Sequence, residues 1–184
     1  MPIEIVRGQL VIRSWRLSDD EALTVAIEES VEHLRPFLAW ATKEPKSVVE
    51  HRALLARWHA EAAAGGDESV GLFLDGQVVG GSGLHRRLGP GGLEIGYWVH
   101  PAFTRRGIAS STARALTDHA FTMPGIDRVE IKHDAANRVS GRVPERLGFR
   151  LVGEESREIG APAETGVHLV WRVTRDEWLA DSGT

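Results

Sequence analysis

Apolar positions change their spacing several times along the chain, and each change marks an element. Gln9 to Arg16 sets Leu10, Ile12 and Trp15 among polar neighbours, the pattern of a half-buried strand. Ser18-Asp19-Asp20-Glu21 then offers a cap and acidic first-turn residues, so a helix follows through Ala22, Leu23, Val25, Ala26 and Ile27. Pro36 interrupts it, which makes His33 to Trp40 a helix-loop segment. Helical spacing returns from Ser47 to Ala64, with Val48, Val49, Leu54, Leu55 and Trp58 on the apolar side, and Gly65-Gly66 closes that helix.

Beyond the glycines the elements shorten. Val70 to Leu74 and Gln77 to Gly81 flank Asp75-Gly76, a strong hairpin signal, so these two strands pair antiparallel. Gly89-Pro90-Gly91-Gly92 is a turn, and Leu93 to Val99 is a strand ended by His100-Pro101. A helix is expected from Ile108 to Phe121, stopped by Met123-Pro124-Gly125. Arg128 to Lys132 reads as strand, Arg138 to Leu147 as helix, and Arg150 to Gly153 and Val167 to Val173 as strands. Thr174 to Leu179 is a short terminal helix, and Asp181 to Thr184 are expected to fray. This order gives a mixed α/β (α+β) class with part of the sheet antiparallel.

Composition narrows the function. At 184 residues and 42% hydrophobic, the chain suits a single domain over 1–184 with a substantial core. A net charge of -4 gives no general attraction to nucleic acid or to an anionic membrane, so any basic site is local. No cysteine is present, which removes a thiolate nucleophile and cysteine metal sites and leaves sulfur chemistry to a bound cofactor. The eight histidines form no compact ligand set, so no metal is expected. The N-terminus lacks a basic region followed by an apolar run, and no stretch approaches the ~18 apolar residues of a membrane span, which favours the cytoplasm.

One turn carries chemistry of its own. A strand ending at Val99, a loop through Arg105-Arg106-Gly107 and a helix from Ile108 bring unpaired backbone N–H groups to a helix N-terminus, where the dipole and two arginines favour an anion such as a diphosphate. From Arg-Arg-Gly alone, a solvated basic turn fits equally well.

Thr104-Arg105-Arg106-Gly107-Ile108-Ala109 resembles the Gln/Arg-x-x-Gly-x-Gly/Ala acetyl-CoA loop of the GNAT superfamily of N-acetyltransferases. Leu93 to Pro101 precedes it and Asn137 to Phe149 follows it in the order of that family, while His33 to Trp40 resembles the substrate-side loop of the Rim-type ribosomal-protein N-acetyltransferase branch. The resemblance implies a GNAT fold, with a mostly antiparallel central sheet and a splayed parallel strand pair flanked by helices. It further implies direct attack of an amine on the acetyl-CoA thioester, without a covalent enzyme intermediate. The amine must be neutral to attack, which is easier for an α-amino group (pKa about 8) than for lysine (about 10.4).

On that resemblance, the backbone of Trp98 and Val99 holds the pantetheine amides, Arg105, Arg106, Gly107, Ile108, Ala109 and Ser110 hold the diphosphate, and Asn137 contacts the cofactor. Ser140 donates to the departing thiolate, or else caps its helix. Glu94 takes the amine proton directly or through water, or else pairs outward with an arginine. His33, Arg35, Phe37 and Trp40 form the substrate-facing group, with core packing of the aromatics as the alternative.

Thr104 and Pro144 depart from the family pattern. Thr104 stands in for a longer phosphate-side residue, and Pro144 cannot donate to the carbonyl of Ser140, so the helix there starts late or kinks. The acceptor is expected to be the N-terminal α-amine of a protein or peptide. The alternatives are a small amine such as an aminoglycoside or polyamine, suited to Glu28, Glu29 and Glu32, and a CoA-binding module without catalysis. A homodimer is the default assembly.

Overall fold

The structure is a computed structural model that describes residues 2–181. Its elements, in order, are β1 (Glu4–Arg7), β2 (Leu10–Ser14), α1 (Asp20–Leu34), α2 (Val48–Ala63), β3 (Glu68–Leu74), β4 (Gln77–His85), β5 (Gly92–Val99), α3 (Ile108–Thr122), β6 (Arg128–Asp134), α4 (Arg138–Arg146), β7 (Arg150–Ser156), β8 (Val167–Thr174) and α5 (Arg175–Asp181). Beyond Asp181, the expected fraying concerns residues outside those described.

Local chemistry sets most of the boundaries. Asp75 and Gly76 adopt φ of 49° and 80°, the positive values that a two-residue hairpin needs to match strand twist, and β3 and β4 pair antiparallel across them. Ser47 caps α2 in a reciprocal box: its hydroxyl accepts from the Glu50 amide at 3.3 Å and its own amide donates to the Glu50 carboxylate at 2.8 Å. The start of α1 differs from expectation. A 3-10 turn over Leu17–Asp19 comes first, and the Asp19 carboxylate accepts from the Arg16 amide at 2.7 Å and pairs with Arg13 at 2.8 Å.

The strands form one sheet in the order β1-β2-β3-β4-β5-β6-β8-β7, with β5 and β6 as the parallel pair and all other neighbours antiparallel. Alternation divides the core between the faces. Ile12, Leu72, Leu93, Ile95, Val129 and Ile131 pack with Leu116 of α3 and Val143 of α4, whereas Trp15, Phe73 and Val78 pack with Leu23 and Ile27 of α1 and Leu55 of α2. Pro144 does not delay α4, which starts at Arg138 and contains the proline.

Candidate active site

The parallel pair is short. β5 and β6 share register from Gly92↔Arg128 to Ile95↔Ile131; β5 then continues to Val99 on β4 alone, and β6 continues to Asp134 on β8 alone. Past Ile95 the strands separate, so the edge of β5 from Gly96 to Val99 has main-chain groups without a β6 partner. A cavity of about 120 Å³ lies at the opening, lined by Phe37, Tyr97, Lys132, Asp134, Asn137 and Ser140 among others. Trp98 contributes backbone here, because its indole lies over Gly81, where a Cβ would come within 2.5 Å of Nε1, and its ring centroid sits 6.0 Å from that of Trp40.

The turn into α3 follows β5 directly. Pro101–Phe103 forms a 3-10 turn, Arg105 adopts φ 63°, and Gly107, at φ 76°, is the N-cap of α3 without a capping side chain. Nothing lies within 4 Å of where a Gly107 Cβ would stand. The first-turn amides of Ile108, Ala109 and Ser110 stand at the positive end of a 15-residue helix with no capping side chain bonded to them. The Arg106 guanidinium rests over Phe103 at 4.9 Å, beside this opening. Thr104 turns inward, its hydroxyl donating to the Pro101 carbonyl at 3.0 Å, so its side chain closes the turn. An open backbone cradle, two adjacent arginines and an unpaired strand edge leading to it match a cofactor with a diphosphate and an amide-bearing arm.

Across the cavity, Asn137 is the N-cap of α4, its side chain accepting from the Ser140 amide at 3.3 Å. Capping and cavity lining coexist in this residue. The Tyr97 hydroxyl donates to the Ser140 carbonyl at 3.0 Å, and Ser140 Oγ lies 3.4 Å from the phenol oxygen. Burial pushes the Tyr97 phenol up to about 12, although its hydrogen bond with Ser140 opposes the rise.

Asp134 fastens the β6–α4 turn to the β7–β8 loop, accepting from the amides of Ala136 (2.9 Å), Thr165 (2.8 Å) and Gly166 (3.1 Å). Beside it, the Trp171 indole donates to His133 Nε2 at 3.0 Å, and His133 Nδ1 donates to the Asp134 carbonyl at 2.8 Å. Gly141 is required on the facing turn of α4, because a Cβ there would stand 2.6 Å from His133 Nε2.

Glu94 is buried on the opposite face of β5 from Tyr97 and is not part of the cavity lining. Three cations surround it: Arg87 at 3.7 Å, and Lys132 and Arg157 at 3.9 Å. None is within hydrogen-bond range, and Oε2 accepts no hydrogen bond from the described residues. Lys132, which does line the cavity, is drawn instead to Glu155 (2.8 Å) and Glu130 (3.3 Å).

The expected substrate-facing residues divide. Phe37 lines the cavity, and Trp40 packs on Trp98 against the α1–α2 core. Arg35 is held by Glu32 at 2.6 Å and reaches the Glu44 carbonyl, while His33 is exposed on the last turn of α1. Tyr97, Lys132, His133, Asp134 and His168 also line the cavity but were not singled out by the motifs. Tyr97 had one signal, as the chain's sole tyrosine on the strand that leads to the anion turn. Among the described residues no group of three or more His, Asp or Glu side chains is placed to hold a metal, and no helix is long and apolar enough to cross a membrane.

Comparison with known proteins gives this geometry a family. The model of the acetyltransferase (GNAT) domain matches residues 9–150. A protein of Bacillus subtilis (strain 168), "Putative ribosomal N-acetyltransferase YdaF", is 27% identical over 182 residues, covering 94% of this chain and 95% of its own. A crystal structure of a probable acetyltransferase superposes with a TM-score of 0.88 at 27% identity over 96% of this chain and 99% of that one. Mycobacterium smegmatis RimJ, in complex with CoA-disulfide, superposes with a TM-score of 0.82 at 25% identity over 100% and 93%. With a strand pair that opens toward a bare helix N-terminus and a family match over most of its length, the chain belongs to the GNAT acetyltransferases and is an acyltransferase.

Proposed function

We propose that this acyltransferase moves an acetyl group from acetyl-CoA to the N-terminal α-amine of a protein or peptide, with a ribosomal protein as the leading class of acceptor and the cytoplasm as its place of work. The observation that carries the reading is the alignment of three features along one path: the unpaired edge of β5 past Ile95, the cavity holding Ser140 and Asn137, and the open N-terminus of α3 at Gly107. The similarity to YdaF and to RimJ supports the acceptor class.

Acetyl-CoA supplies the activated thioester. The amides of Ile108, Ala109 and Ser110, with Arg105 and Arg106, hold the diphosphate, and the backbone of Trp98 and Val99 pairs with the amide-bearing arm. Asn137 fixes the first turn of α4, and Ser140 donates a hydrogen bond to the sulfur as the electron pair of the breaking C–S bond settles there. Glu94 stands on the other face of β5 from the cavity, so it takes the amine proton through water, with an Oε2 that accepts no hydrogen bond from the described residues. Phe37 forms an apolar wall, with His33 and Arg35 on the approach and Trp40 behind Trp98.

A small polycationic acceptor is less well supported. Two of the three acidic residues that would attract it are engaged within the chain, Glu29 by His100 at 2.9 Å and Glu32 by Arg35 at 2.6 Å. Release of CoA thiol from acetyl-CoA, followed across N-terminal peptides, lysine peptides and aminoglycosides, decides the matter. Turnover is expected with N-terminal peptides. Turnover confined to aminoglycosides would replace the acceptor, and saturable acetyl-CoA binding without thiol release would leave a binding module. In the same assay Glu94→Gln is expected to lower kcat at least tenfold at neutral pH, and wild-type kcat would remove Glu94 from the chemistry.

A further inference from the structure

The roles above leave the Tyr97 phenol unused, although it makes two contacts with one residue. Its hydroxyl donates to the Ser140 carbonyl at 3.0 Å, and its oxygen is the acceptor for Ser140 Oγ at 3.4 Å. A helical carbonyl ordinarily accepts from the amide four residues on. Here that residue is Pro144, inside α4, which has no N–H to give. Pro144 thus leaves the Ser140 carbonyl to the phenol.

The arrangement has a consequence for the Ser140 proton. A serine hydroxyl and a phenol each carry one proton and can each accept. While Ser140 donates to Tyr97, the phenol gives its own proton to the carbonyl. When Ser140 turns its proton toward another acceptor in the cavity, Tyr97 can turn from the carbonyl to Ser140 Oγ, because both acceptors belong to the same residue and lie within its reach. Neither donor is stranded in either arrangement. Burial keeps the phenol protonated, and therefore a donor, throughout the neutral range.

We propose that Tyr97 is a positioning residue that aims the Ser140 hydroxyl into the cavity, with Pro144 keeping the Ser140 carbonyl available to it. The proposal rests on Ser140 acting as hydrogen-bond donor to the leaving thiolate.

Steady-state kinetics of Tyr97→Phe, Ser140→Ala, the double variant and Tyr97→Phe/Pro144→Ala, with acetyl-CoA and the best peptide acceptor, test it alongside thermal melts. Tyr97→Phe is expected to lower kcat about tenfold, the scale of one hydrogen bond, with KM for acetyl-CoA within about twofold of wild type. On the Ser140→Ala background the same change should lower kcat less than about twofold, because the hydroxyl it serves is gone. Adding Pro144→Ala to Tyr97→Phe gives the Ser140 carbonyl a helical N–H, so the melting temperature should recover while kcat stays low. Equal losses on both backgrounds, or kcat recovering together with stability, would overturn the positioning role. Wild-type kcat in Ser140→Ala would remove the serine from the chemistry and Tyr97 with it, whereas failure of the Tyr97 arm alone leaves the serine in place.

Discussion

The His100 imidazole meets the Glu29 carboxylate at 2.9 Å, joining α1 to the turn that presents the N-terminus of α3. The Ala102 amide donates to Nδ1 at 3.2 Å, so Nε2 carries the proton and donates to Glu29. His100→Ala removes both bonds without touching the cradle itself. KM for acetyl-CoA is expected to rise about fivefold, equivalent to ~1 kcal/mol, with kcat nearly unchanged. Steady-state kinetics read this, and an unchanged KM would mean that the turn holds its shape without α1.

Gly107 tests the cradle directly. Open space surrounds the position, so alanine there would clash with nothing, and its cost is backbone strain at φ 76°, about 1–2 kcal/mol. Gly107→Ala is expected to weaken CoA binding several-fold by calorimetry. Gly107→Asn should weaken it less, since asparagine tolerates that conformation. Equal affinities in all three proteins would show that the amides of this turn hold no diphosphate.

Asp134 is the clasp beneath the cavity. Burial raises its carboxyl, but the amides of Ala136, Thr165 and Gly166 and the Thr165 hydroxyl outweigh that and hold it below its ordinary value. A carboxyl lowered in the folded state adds stability above its unfolded value of about 3.9, and this is lost as pH falls through the folded value. Asp134→Ala should therefore cost roughly 2–3 kcal/mol at neutral pH, and the gap to wild type should narrow in melts below about pH 4. A gap that stays constant with pH would assign the loss to packing.

His133 gives the opposite end of the pH range. Burial lowers its pKa, with the hydrogen bond to the Asp134 carbonyl partly offsetting the effect, so the folded protein keeps it neutral. Protonating Nε2 would displace the Trp171 indole that donates to it. The unfolded chain binds this proton more readily, so the contribution is complete above about pH 6.5 and lost as pH falls through the lower folded value. The difference in melting temperature between wild type and His133→Gln is expected to shrink on acidification through that window, and a difference independent of pH would show that this histidine does not titrate on unfolding.

The sequence conveyed the elements whose signals are local. Asp75-Gly76 and Pro36 acted through their own backbone preferences and appear where the pattern placed them, and the helix expected from Ser47 to Ala64 runs from Val48 to Ala63. β1 was missed because it is a four-residue strand with little buried surface, and its pairing with β2 is decided by the partner. The anion turn was legible as spacing around Gly107, and Asn137 and Ser140 as the entry to a helix. The Asp134 clasp joins residues 31 and 32 positions apart, and the Tyr97–Ser140 contact spans 43, so both depend on which strands become neighbours. Arg35 and Trp40 show the converse: suitable residue types in the expected loop were captured by Glu32 and by Trp98.

The separation of β5 from β6 makes the sheet an incomplete object. For four residues past Ile95 it has an internal edge, and the molecule that fills this edge acts as a guest strand. Occupancy is therefore structural as well as chemical: at a hundred times the dissociation constant a ligand bound only by the folded chain adds ~2.7 kcal/mol of stability. The durability of the enzyme then follows the supply of its acyl donor, so that a cell short of that metabolite holds an enzyme that is both idle and easier to unfold, a dependence that melting curves across a CoA titration measure directly.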